Sequence, residues 1–119
     1  MGDLSKNFSR YEFTCRCGCG FSDVQPGLVQ KLQAVRDRIG PVQVNSACRC
    51  PEHNRRSDGK PSSSHLDGWA ADLACPASRE RFLLLEACLV EGFNRIGIGR
   101  EFIHVDLDPH KSRQVVWLY

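Results

Sequence analysis

The stretch HLDGWAADL, residues 65–73, decides how this chain is read. It sets His65 seven positions ahead of Asp72, with Gly68 and Ala70 keeping the backbone between them slim. Before it, SDGKPSSS (57–64) is a loop by composition, so His65 closes a loop. From Trp69 onward, WAADLAC reads as a buried strand that carries Asp72. A second stretch, GREFIHVDLD (99–108), puts His104 in another apolar strand, flanked by Glu101 and Asp106. A lone histidine beside such a strand is more often a satisfied core residue. His65, Asp72 and His104 together are different: two imidazoles and a carboxylate, with a fourth position open, are what a catalytic zinc requires. Metal in such a site makes a nucleophile from water at neutral pH.

Working outward, GLVQKLQAVRDRIG (27–40) is the clearest helix. Leu28, Leu32, Val35 and Ile39 share one face, Pro26 suits the first turn, and Gly40 suits the stop. Ser9 and Glu12 have capping-box spacing and predict a short helical turn. PVQVNS alternates as a strand with Val42 and Val44 on one face, and PEHNRR predicts a short helix beginning near Pro51. SRERFLLLEACLVEG predicts another helix, with Ser78 as N-cap and Gly92 as stop. NRIGIGR, FIHVDL and QVVWLY read as strands. This order predicts one α+β domain over residues 1–119, with helices packed on one side of a mostly antiparallel sheet.

Composition narrows the function classes. A net charge of +2 gives no reason to expect a nucleic-acid partner. No apolar run approaches the roughly 20 residues that span a bilayer, so no membrane partner is expected. Residues 1–13 are polar and lack an apolar h-region, so no signal peptide is expected. Of the seven cysteines, Cys15, Cys17 and Cys19 alternate, as do Cys48 and Cys50. The odd count argues against a secreted disulfide framework. Structural zinc usually takes C-x₂₋₄-C spacing, so reduced thiols are the favoured reading over a second metal site.

The motif S-x-H-x-x-G-x-A-x-D, here Ser63, His65, Gly68, Ala70 and Asp72, resembles the signature of the zinc D-Ala-D-Ala peptidases. The downstream FIHVD resembles that family's third-ligand strand. EFTCRCGCG, then a helix, then VNSACRCPEHN, is similar to phage and prophage cell-wall peptidases of the same family. The resemblance covers nearly the whole chain and implies the fold shared with the Hedgehog signalling domain. It implies one catalytic zinc held by His65, Asp72 and His104, and a peptidoglycan peptide substrate. It also implies a D-Ala-D-Ala-type carboxypeptidase or an endopeptidase of the endolysin kind, expected to act as a monomer. Such an enzyme would be made in the cytoplasm and reach the cell wall after assisted release.

A peptidase of this type needs a general base. Glu101 matches the family's E-x-x-H and is the first choice. On a regular strand, however, it would face away from His104, so the chain must turn or bulge between Gly99 and Phe102. Asp106 shares the face of His104 and is the alternative base, or else it orients a ligand. Arg49 matches the arginine of the family's S-x-x-R, counted from Ser46, and would stabilise developing charge or anchor a carboxylate. The sequence has SACR where the family more often has SGYR, which removes an aromatic substrate contact. Two rivals keep the metal ligands without needing a base: a zinc-stabilised binding module and a phage structural module of the same fold.

Overall fold

The computed structural model describes residues 2–119; Met1, part of the N-terminal segment read above, lies outside them. A 3-10 turn at Arg10–Phe13 is followed by α1 (Pro26–Ile39), β1 (Val44–Ser46) and α2 (Pro51–Arg56). A second 3-10 turn at Ser64–Asp67 leads into β2 (Ala70–Ala74), then α3 (Ser78–Val90), β3 (Arg95–Ile98), β4 (Phe102–Asp106) and β5 (Val115–Leu118). The five strands form one sheet in the order β1-β2-β4-β3-β5, antiparallel except for the β3–β5 pair. The expected α+β class and the mostly antiparallel sheet are both present.

Pro26 occupies the first turn of α1, and Gly40 ends the helix at φ 94, a left-handed conformation that glycine adopts at little cost. Leu28, Leu32 and Val35 are fully buried from this helix, joined by Val29; Ile39 packs at the margin. The first turn of the chain is tied as its spacing predicts, the Ser9 N–H donating to the Glu12 carboxylate at 2.8 Å. Two details differ from expectation. The N-cap of α3 is Ala77 with no side-chain cap, and Ser78 is already helical. The first strand is shorter than PVQVNS: it begins at Val44, because the chain leaving Gly40 joins the sheet only there.

Period-two alternation divides β2 and β4 between two faces. Ala71, Leu73, Ile103 and Val105 join one core with Leu28, Leu32, Val35, Leu84 and Ala87 of the two long helices. Asp72, His104 and Asp106 therefore project from the opposite face, away from α1 and α3. On that face lie the 46–65 segment and the rings of Trp117 and Tyr119, from the edge strand β5 and the residue after it. No helix among the described residues is long and apolar enough to cross a membrane.

Candidate metal centre

The register of β2 against β4 places Asp72 directly across from His104. Asp72 Oδ1 lies 2.9 Å from His104 Nδ1 and 3.3 Å from His65 Nε2. His65 arrives from a different element, the 3-10 turn that follows the loop. The Ser63 hydroxyl accepts from the His65 N–H at 3.2 Å, and Gly68 closes the turn at φ 75. Only glycine fits at position 68: a Cβ would sit 2.0 Å from the carbonyl oxygen of Asp23, besides requiring the left-handed conformation. The small residue that separates loop histidine from strand aspartate is thus required by packing as well as by the turn.

The tautomers follow from the partners. His65 Nδ1 is 2.6 Å from the Ala47 carbonyl, which can only accept, so Nδ1 carries the proton. Nε2 is then a bare lone pair facing a carboxylate oxygen, buried and with no hydrogen-bond partner among the described residues. Two acceptors facing each other in a buried place call for a cation between them. His104 is held in the complementary way, with Nε2 2.8 Å from Asp106 Oδ2 and Nδ1 turned toward Asp72. Each imidazole thus has its far nitrogen fixed by a carbonyl or a carboxylate, the outer-sphere arrangement of metal-binding histidines. The three ligand atoms lie within 4.8 Å of one another. The residues fit a divalent metal of the zinc type.

Burial pushes the His65 pKa down, against the pull of Asp72, and keeps the ring neutral as a ligand must be. Burial acts the same way on His104, but hydrogen bonds to Asp106 and Asp72 outweigh it and raise its pKa. Asp72 pays for burial too, yet its contacts with His104 and His65 hold it below the usual carboxylate range.

Asp106 is almost fully enclosed. Its Oδ1 accepts from Arg95 Nε at 2.7 Å and from the Asp108 N–H at 3.1 Å, while Oδ2 faces His104. Burial raises its pKa, but these donors together keep the group ionised. Both oxygens are committed, which suits orienting His104 and leaves little scope for taking a proton from elsewhere. Glu101 is placed otherwise. The Gly99 N–H bonds the Phe102 carbonyl at 2.9 Å, closing a two-residue hairpin turn with Arg100 and Glu101 at its tip. The chain does turn between Gly99 and Phe102. The Glu101 side chain is exposed, stands outside the cleft lining, and makes no hydrogen bond or ion pair among the described residues.

Arg49 does line the cleft. It bonds Ser46 Oγ at 3.4 Å, Asn54 Oδ1 at 3.1 Å and Asp72 Oδ2 at 3.4 Å, and its backbone N–H reaches the His65 carbonyl at 3.0 Å. The S-x-x-R spacing therefore lets the serine brace the arginine. A guanidinium has more donors than these three side-chain contacts use, so some remain for a substrate oxygen.

The cleft has a volume of about 900 Å³ and opens over the three ligands. One wall is the 57–64 loop; the other is the C-terminal strand. The ring centroids of Trp117 and Tyr119 lie 5.5 and 6.3 Å from that of His104, and Arg95 stacks on Trp117 at 5.2 Å. Gly97 makes room for both aromatic rings, since a Cβ there would lie 2.5 Å from Trp117 Nε1. Trp117, Tyr119, Arg95 and Lys111 were not singled out from the sequence. Only the parallel pairing of β5 with β3, which sets Trp117 beside Gly97, brings the aromatic pair here.

A His-Asp-His centre under an open cleft, with two ligands on the sheet and the third on a turn beside it, is of the kind found in zinc-dependent hydrolases. The family model for Peptidase M15 matches residues 6–106, and the chain belongs to that family of zinc-dependent peptidases. Comparison with curated proteins returns no match.

Proposed function

We propose that the chain hydrolyses amide bonds of peptidoglycan stem peptides or crosslinks, as a D-Ala-D-Ala-type carboxypeptidase or endopeptidase of the phage or prophage lysin kind. The observation that carries the hydrolytic reading is the lone pair of His65 Nε2 facing Asp72 Oδ1, with His104 Nδ1 completing the set. Zinc held by these three supplies Lewis acidity and a nucleophile derived from water. Ala47 and Asp106 hold the two imidazoles in the tautomers that binding needs. Arg49, steadied by Ser46 and Asn54, receives a substrate carboxylate or the carbonyl oxygen as it gains charge.

Glu101 is assigned as the base that moves the proton. It is the uncommitted carboxylate nearest His104 along the chain, whereas Asp106 is occupied. From the hairpin tip it must swing toward the cleft when substrate is bound. Asp106 is then a positioning residue. The peptidoglycan assignment rests on the resemblance in the zinc motifs. Lys60, which makes no ion pair among the described residues, and the spare donors of Arg49 line the cleft and support a substrate with a free carboxylate. On this reading the protein acts on the cell wall as a monomer, after assisted release from the cytoplasm.

One observation favours a second reading, a zinc-bearing binding module: in this structure the Glu101 carboxylate stands outside the cleft. Digestion of purified peptidoglycan, with the released fragments identified by mass spectrometry, separates the two. New amine and carboxyl termini that disappear in His104→Ala are expected for the enzyme. Tight binding to sacculi without cleavage would establish the module.

A further inference from the structure

The seven thiols fall into two groups. Cys48, Cys75 and Cys88 are buried and behave as small core hydrophobes. Cys15, Cys17, Cys19 and Cys50 converge instead, their sulfurs all within 4.8 Å of one another. Cys15 Sγ lies 3.4 Å from Cys17 Sγ, and Cys17 Sγ lies 3.6 Å from Cys50 Sγ. Zinc–sulfur bonds of about 2.3 Å in a tetrahedron put neighbouring sulfurs about 3.8 Å apart, so the cluster has the dimensions of a tetrathiolate cage. No disulfide joins these cysteines.

Alternate cysteines are the wrong spacing for such a cage on an extended chain, where residues i and i+2 stand about 6.7 Å apart. Here the backbone is coiled to bring them in. Gly18 and Gly20 take φ 88 and 90, and a Cβ at either would meet nothing within 4 Å, so it is the backbone conformation that favours glycine. The Cys15 N–H bonds the Phe21 carbonyl at 2.8 Å, and the Gly18 N–H bonds the Cys15 carbonyl at 3.3 Å, closing the knuckle. Arg16, between the first two cysteines, donates to the backbone carbonyls of Tyr11, Glu12, Thr14, Val44 and Asn45, which fixes the knuckle against β1. Backbone N–H groups already point at the sulfurs: that of Cys50 at Cys15 Sγ, and that of His53 at Cys50 Sγ, both at 3.4 Å. Such donors favour thiolate over thiol. Cys15 is buried and Cys50 partly so, but Cys17 and Cys19 are exposed, and bare thiols at such positions beside other thiols are prone to oxidation unless something holds them.

We propose that Cys15, Cys17, Cys19 and Cys50 form a second, structural zinc site that clips the N-terminal segment to the chain beside Arg49. Binding releases the thiol protons and leaves all four ligand positions filled by protein, so no position remains for water or substrate. The clip lies one residue from Arg49, whose backbone N–H is bonded to His65. It therefore braces the segment that carries Ala47 and Arg49 into the cleft.

The test uses the full chain prepared under reducing conditions and loaded with Zn²⁺ or Co²⁺. Elemental analysis is expected to find two zinc equivalents in the wild type. Cys17→Ser/Cys19→Ser, at two exposed positions, should lose one equivalent and keep the other; His65→Ala/His104→Ala should show the converse loss. With Co²⁺, thiolate-to-metal charge-transfer absorption should appear in the wild type and in the histidine variant and be absent from the cysteine variant. The cobalt spectrum of the wild type decides the matter even if the cysteine variant does not fold. A single equivalent with no thiolate–cobalt absorption, a disulfide within the cluster, or iron in place of zinc would each overturn the proposal.

Discussion

Asp106→Asn is the sharpest probe of the catalytic centre, because it keeps shape and removes charge where three donors converge. Wild-type Asp106 accepts from His104 at 2.8 Å, from Arg95 at 2.7 Å and from the Asp108 N–H at 3.1 Å, with almost no solvent access. The asparagine has one acceptor oxygen where the carboxylate had two. If that oxygen serves Arg95 and Asp108, the amide nitrogen faces His104 Nε2 and favours the wrong imidazole tautomer. Losing such an outer partner typically weakens metal affinity about 10- to 100-fold, or about 1.4–2.8 kcal/mol. A separate cost falls on the fold, since Arg95 is left without its buried counter-charge; removing one partner of a buried pair costs about 3–5 kcal/mol. Competition with a chromophoric chelator reads the first effect, and urea unfolding of the metal-free protein reads the second. Turnover at saturating zinc should fall far less than affinity, because Asp106 positions a ligand and takes no proton. Wild-type zinc affinity in a folded Asp106→Asn protein would refute the orienting role. Abolished turnover with zinc fully bound would make Asp106 the base.

Three further outcomes are expected. Glu101→Gln should retain its zinc and lose about 10²- to 10⁴-fold in turnover, the contribution of a positioned general base; unchanged turnover on every peptidoglycan fragment would remove Glu101 from the reaction. Gly68→Ala should lower unfolding stability by about 1–3 kcal/mol from left-handed strain, with the clash against the Asp23 carbonyl adding to it, and should weaken zinc binding by shifting His65; a variant with wild-type denaturation and metal content would contradict that account. Zinc affinity at the histidine centre should fall as pH falls through the raised pKa of His104, because the proton on Nδ1 must leave before metal binds. Calorimetry in buffers of different ionisation enthalpy should show proton release there, and affinity independent of pH would count against His104 as a ligand.

Local chemistry was legible in the sequence where one element decides it. The apolar face of α1, its proline start and its glycine stop needed no partner to be recognised. The divided faces of β2 and β4 were equally plain, because alternation alone separates Asp72 and His104 from Leu73 and Ile103. What the sequence could not supply was pairing at long range. Trp117 reaches the cleft only because β5 runs parallel to β3, and Cys50 meets Cys15 across 35 residues because the N-terminal knuckle folds onto the start of α2. Spacing rules for cysteine ligands presume an extended or simply turned backbone, and two left-handed glycines break that presumption. Glu101 shows the reverse case. It lies at the tip of a hairpin turn, yet its carbonyl still accepts the Cys75 N–H at 2.9 Å, continuing the β2–β4 pairing, so the turn that the sequence called for does not bring its carboxylate into the cleft.

The β2–β4 ladder also guards the fold against its own nearest error. Sliding one strand past the other by a single residue would leave most backbone bonds remade, so little in the ladder itself forbids it. The same slip would carry Asp72, or His104 and Asp106, into the apolar layer beneath α1 and α3 and expel Leu73 or Ile103 and Val105 into the cleft. Each stranded charge would cost several kcal/mol. The polar groups that prepare this sheet for chemistry thus double as markers of correct alignment, and a chain that misaligned would be unstable before it could be inactive.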